Sequence, residues 1–231
     1  MTRTVTVVRT GTANLASVLA ALTRAGATPE LSDDPRAVEA ASHVVLPGVG
    51  SFAAAMEGLR AAKLVEPLAA RVEAGRPTLS ICLGFQLLGL SSEESPGESG
   101  LGALAYPSLR FDERDPEGNP LRVPHLGWNE VVPDAGCRLL TRGFAYFAHS
   151  FYVAEPPAGW SAGRTEYGSR FVSALERGDV LACQFHPELS GAWGQALIRA
   201  WVEAGSSDET VARDEATARA EAADVRGGGA C

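Results

Sequence analysis

No apolar run in this chain approaches the ~20 residues that a membrane-crossing helix needs. Glycine, proline or arginine interrupts each run first, so no membrane span is expected. No basic cluster offsets a formal net charge of −8, and a nucleic-acid-binding footprint is absent with it. The start lacks a basic segment leading into an apolar one: Met1-Thr2-Arg3 runs directly into a short valine-rich stretch, so no targeting signal is expected. Cysteine is sparse. Cys82, Cys137, Cys183 and Cys231 stand apart without metal-type pairing, and a chain of 231 residues needs no disulfide framework. The four histidines show no ligand-type clustering either, so neither a metal site nor a cofactor is expected. These absences leave a soluble, cytoplasmic protein, and an apolar content of 45% is ample for one α/β core.

Residues 5–8 are β-branched and bounded by Arg9-Thr10-Gly11, which predicts a buried strand. Leu15, Val18, Leu19 and Leu22 then recur at helical steps, with Asn14 placed as N-cap and Gly26 as terminator. Residues 44–46 form the next strand, stopped by Pro47-Gly48. Leu64, Leu68 and Val72 mark a second amphipathic helix, closed by Gly75 and Pro77, and residues 78–81 a further strand. Alternating strand and helix predicts an α/β fold, an open and largely parallel sheet with helices on both faces. Beyond Leu90, strand-like pieces at 121–123, 129–132, 146–153, 171–176 and 180–185 predict a smaller, more antiparallel layer. Residues 193–202 read as a closing helix. Residues 205–231 have almost no large apolar side chain, so the organisation expected is a domain over 1–204 and a low-complexity, disordered tail over 205–231.

Three segments carry chemistry. Cys82 sits where the strand at 78–81 turns into a helix, a position that exposes a side chain at the carboxyl edge of a sheet and favours a thiolate. Small neighbours suit so crowded a turn; Gly84 meets that need and Ser80 meets it less well. His186 and Glu188 are two residues apart, so in an extended segment both reach one side. The carboxylate would fix the imidazole tautomer while the imidazole takes the thiol proton. Leu46-Pro47-Gly48-Val49-Gly50-Ser51-Phe52 ends a strand in two glycines, leaving backbone N–H groups open to a ligand. The N–H of Leu83 would be a second oxyanion donor. Each segment alone also reads blandly, as an inert core cysteine, a solvated turn and a flexible loop.

Together these segments, with Val123-Pro124-His125-Leu126-Gly127-Trp128-Asn129 and Tyr146-Phe147-Ala148-His149-Ser150-Phe151-Tyr152, resemble class I (triad) glutamine amidotransferases. Within that family the chain is similar to the branch serving histidine biosynthesis, the glutaminase subunits of imidazole glycerol phosphate synthase. The match covers roughly residues 4–203. The resemblance implies a triad of Cys82, His186 and Glu188, with Val49 and Leu83 as oxyanion donors. Gly48, Gly50, Gln86 and the backbone of His149, Ser150 and Phe151 would hold glutamine. No cofactor is implied. The partner implied is a (β/α)8-barrel cyclase subunit, forming a heterodimer. Ammonia released from glutamine would pass to it and yield imidazole glycerol phosphate and an aminoimidazole carboxamide ribotide. The family also holds its oxyanion loop in an unproductive pose until the partner is loaded.

Some positions depart from the family pattern. Leu189 replaces a common lysine at the partner interface, Arg9-Thr10-Gly11 replaces Asp-Tyr-Gly, Ser80 replaces a glycine, and Phe151 replaces a tyrosine. Trp128 is a candidate interface anchor or else core. His43 reads as a surface or strand-end residue, His125 as structural and Cys183 as core; Cys137 and Cys231 carry no functional signal. The alternatives are the glutaminase of another class I amidotransferase, of pyridoxal phosphate or anthranilate synthesis, and a non-catalytic binding relative.

Overall fold

The computed structural model describes residues 2–9 and 15–205. Asn14, Thr10, Gly11 and the tail from 206 lie outside the described residues, as therefore do the N-cap and tail expectations. In chain order the elements are β1 (Arg3–Val8), α1 (Leu15–Arg24), β2 (Ala27–Ser32), α2 (Pro35–Ala40), β3 (His43–Leu46), α3 (Phe52–Ala61), α4 (Val65–Glu73), β4 (Thr78–Ile81), α5 (Leu83–Leu87), β5 (Ser91–Ser92) and β6 (Pro107–Arg110). They continue with β7 (His125–Pro133), β8 (Gly143–His149), β9 (Phe151–Tyr152), β10 (Ser161–Tyr167), β11 (Ser169–Arg177), β12 (Val180–Cys183), a 3-10 turn (Pro187–Leu189) and α6 (Gly191–Glu203).

Nine strands form one sheet in the order β2-β1-β3-β4-β12-β11-β10-β7-β8. From β2 to β12 every pairing is parallel; from β12 onward each is antiparallel. The fold is therefore α/β, and the antiparallel strands expected after Leu90 largely extend the main sheet. A smaller sheet, β5-β6-β9, lies beside it.

Strand parity explains the layers. Val45, Leu79 and Leu181 point to the face covered by α1 and α6, where Leu22, Ile198 and Trp201 are buried. Val44, Leu46 and Ala182 point to the other, covered by α2 to α5 through Val38, Met56, Leu68 and Phe85. Strands buried on both faces read as unbroken apolar runs, as parallel strands do. Among the described residues no helix is long and apolar enough to cross a membrane.

Two strand expectations need correction. Residues 121–123 are not a strand: Pro120 and Pro124 at their two ends supply no N–H to a ladder. The stretch 146–153 divides at Ser150, so β8 pairs with β7 while β9 pairs with β6. That division turns the backbone of 149–151 toward the carboxyl ends of β3 and β4, where the main cleft opens.

Candidate active site

Cys82 follows β4 with φ 54° and ψ −107°, a conformation that costs an L residue about 1–3 kcal/mol and persists only where its surroundings impose it. Those surroundings are specific. Its N–H donates to Cys183 O at 2.7 Å, and its carbonyl accepts from Phe85 N at 3.0 Å and Gln86 N at 3.3 Å. A Cβ on Gly84 would lie 2.1 Å from Leu46 O, so the end of β3 and the start of α5 meet only because that residue is glycine.

His186 comes three residues after β12. Its Nδ1 lies 2.8 Å from Glu188 Oε1. A carboxylate only accepts, so Nδ1 carries the proton and Nε2 is left for Cys82, with which the ring exchanges both a hydrogen bond and charge. Burial disfavours the imidazolium, but the ring's hydrogen bonds to Cys82 and Glu188, with the negative charge of each, outweigh it and push His186 up to about 10. The pairing is made by the 3-10 turn, not by the extended segment expected from the sequence: only His186 is extended, and Pro187 opens the turn. Ser190 locks the arrangement. Its hydroxyl donates to His186 O at 2.6 Å and accepts from Tyr146 N at 2.9 Å, while His186 N donates to Tyr146 O at 2.9 Å. His186 is thereby fastened to edge strand β8.

A cleft of about 370 Å³ brings together Cys82, His186, Val49, Gly50, Leu83, Gln86, His149, Ser150 and Phe151. Gly48 does not line it. Gly48 lies beneath the elbow, where an added Cβ would come within 2.7 Å of Gly84 N, and its carbonyl accepts the Leu83 N–H at 3.3 Å. In this conformation one expected oxyanion donor is therefore satisfied internally.

The wall at 149–151 is held from behind. His149 Nδ1 lies 2.8 Å from Phe151 O, so this nitrogen is protonated and Nε2 accepts from His125 Nδ1 at 3.0 Å. His125 Nε2 then accepts from Asn129 Nδ2 at 3.3 Å. Burial above all keeps both rings neutral, pushing His125 down to about 4 and His149 to about 3. His125 is structural, as its setting suggested. His43 is buried, not at the surface, and its Nε2 lies 2.8 Å from Arg3 Nη1. Cys183 is core. Trp128 is 58% exposed, which rules out its reading as core.

Two residues at the site escape sequence reasoning. Glu94 lines the cleft while its Oε2 accepts the Phe52 N–H at 2.8 Å; nothing in a Ser-Glu-Glu-Ser loop signals that. Gln184 is fully buried, and its Nε2 lies 3.8 Å from Cys82 Sγ. The strand period of two, which puts residues 184 and 186 on one side, was the available clue.

Comparison with known proteins gives a concordant picture. The family model for class I glutamine amidotransferases matches residues 10–203. The imidazole glycerol phosphate synthase subunit HisH of Bacillus velezensis is 42% identical over 191 residues, 81% of this chain and 90% of the relative. The HisH subunit of Methanothermobacter thermautotrophicus is 41% identical over 199 residues, 84% of this chain and 94% of the relative. A crystal structure of a glutamine amidotransferase superposes with a TM-score of 0.68 at 20% identity, covering 86% of this chain and 97% of its own. PurLQS from Thermotoga maritima superposes at 0.65 and 19%, covering 87% and 98%.

Proposed function

Because this chain belongs to the class I glutamine amidotransferase family, we propose that it is the glutaminase subunit of a cytoplasmic imidazole glycerol phosphate synthase, acting in histidine biosynthesis beside a (β/α)8-barrel cyclase. The supporting observation is that Cys82 and His186 line one cleft while Glu188 holds the His186 ring through Nδ1. Cys82 Sγ, its proton passed to His186, attacks the carboxamide carbon of glutamine. The C–N bond breaks as His186 returns that proton to the departing ammonia, leaving a glutamyl thioester. His186 then takes a proton from water, whose oxygen attacks the thioester carbon, and glutamate leaves as the sulfur is regenerated. Glu188 keeps the ring oriented through Nδ1. Glu94 places a carboxylate in the cleft where the α-ammonium of glutamine can meet it, beside Gln86 and the backbone of 149–151.

Val49 and Leu83 donate to the oxyanion once the Gly48 carbonyl turns away from the Leu83 N–H. Until then the tetrahedral intermediate lacks a donor, and a missing donor costs about 10²–10³ in rate. This gives the activity a physical reason to be conditional. The partner surface is apolar and begins at the cleft. Leu126 lines its mouth and is 62% exposed; Trp128, Phe144 and Leu189 are also exposed. Trp128 reaches toward Gly191, where an added Cβ would lie 3.8 Å from its ring, so the patch runs from β7 to the turn carrying Leu189. A single-chain surface of this kind marks a protein interface.

Glutamine hydrolysis measured with and without the cyclase and its nucleotide tests the reading. A large rise in the loaded complex is expected; no hydrolysis in any combination would overturn it.

A further inference from the structure

Gln184 belongs to no part of the reaction described so far, yet it is one of the few polar side chains with no exposure at all. Its amide has only one sensible orientation. Phe151 O is acceptor-only, and the Gln86 group 3.3 Å from it must therefore be the NH2. The same Gln86 nitrogen lies 3.1 Å from the Gln184 side chain, so the Gln184 atom facing it must be the carbonyl oxygen. That leaves the Gln184 NH2 directed at Cys82 Sγ, at 3.8 Å. Phe151 O is itself held by His149 Nδ1 at 2.8 Å, so the sequence of donors ends on fixed backbone. From Gln86 one hydrogen bond anchors the amide on Phe151 O, and the other runs through Gln184 toward the sulfur.

We propose that Gln184 is a positioning residue for the nucleophile, donating an amide hydrogen bond that steadies the Cys82 thiolate and directs its lone pair into the cleft. A donor aimed at a buried anion stabilises it more than a neutral partner. Gln184 does not line the cleft, so it serves the sulfur from the protein side while His186 serves it from the other. The inference rests on Cys82 being the nucleophile. It predicts a thiolate that depends on two donors, not on the imidazole alone.

Alkylation of the full-length chain by iodoacetamide across a pH series, read peptide by peptide by mass spectrometry, tests this. Gln184→Met keeps the length without a donor and with only a weak thioether acceptor. Gln184→Glu keeps an acceptor for Gln86 and places a carboxylate against the sulfur. Of the titratable groups near that sulfur, His186, His149 and Glu94 share the cleft with Cys82, Glu188 holds His186, and Cys183 accepts the Cys82 N–H at its carbonyl; both variants leave them in place. At neutral pH labelling of Cys82 should slow by about tenfold or more in each variant, with its rise displaced to higher pH, while Cys137 labels at the wild-type rate. Wild-type labelling and an unmoved profile in Gln184→Met would overturn the inference. If that variant unfolds, an unmoved profile in Gln184→Glu overturns it equally. A wild-type Cys82 no more reactive than Cys137 would remove the nucleophile itself, and this inference with it.

Discussion

At Cys82 the backbone is strained because the chemistry needs a side chain there, and glycine would occupy the same φ of 54° without penalty. Cys82→Gly should therefore abolish glutamine hydrolysis yet raise unfolding stability by about 1 kcal/mol in urea titrations. Gly84 shows the opposite dependence. In Gly84→Ala the added methyl meets the Leu46 carbonyl, which is backbone and cannot rotate away, so the same titration should show a loss of about 2–3 kcal/mol. Residue-scale legibility follows from the same distinction. Cys82, His186 and Glu188 are reactive types at punctuated positions, and they could be named from the chain alone. Gln184 and Glu94 could not, because an amide or a loop carboxylate acquires meaning only from what folds against it.

At the scale of elements, β7 and β8 carry the cleft on one side and the apolar patch along their exposed face. Trp128 is opposite Tyr146 in register, and Glu130 opposite Phe144. The double substitution Trp128→Ala with Phe144→Ser removes two exposed side chains and no core. It should leave the thermal midpoint of the free subunit nearly unchanged while weakening affinity for the cyclase by about 30-fold in calorimetric titration. Ser190→Ala removes the hydroxyl bridge between His186 and Tyr146 and leaves only their direct backbone hydrogen bond, without touching the triad, so glutamine turnover by the complex should fall about tenfold. The legible elements were those buried on both faces, such as β3, β4 and β12, whose apolar runs announce them. Edge strand β2 and the polar β10 passed unread because their pairing, not their side chains, makes them strands. Residues 121–123 read as a strand from three side chains although their flanking prolines forbid a ladder.

Across the whole molecule, buried histidines set the response to acid. Burial, the largest cause in each case, pushes His43 and His125 down to about 4 and His149 to about 3, from 6.5 in the unfolded chain. Below 6.5 the unfolded chain binds protons that the folded one refuses, so stability present above that pH is lost as pH falls toward 4. His186 acts in the opposite sense. It contributes stability below 6.5 that disappears as pH rises through about 10. Below 6.5 the His186 contribution is complete and no longer changes, so the three buried histidines set the slope: the urea midpoint should drop between pH 6.5 and 4, and less steeply in His125→Gln. The parallel half and its crossover helices were legible as an architecture, whereas the continuation of the same sheet through β11, β10, β7 and β8 was not. The pieces at 129–132 and 171–176 read as antiparallel strands, but which sheet they join is decided by long-range pairing that no local pattern records.

The most direct test of the account is product formation by the complex of Cys82→Ala with the cyclase, supplied in turn with glutamine and with ammonium. Synthesis from ammonium at the wild-type rate, with none from glutamine, is the predicted result. Continued synthesis from glutamine in that variant would contradict the assignment of the sulfur as the attacking atom.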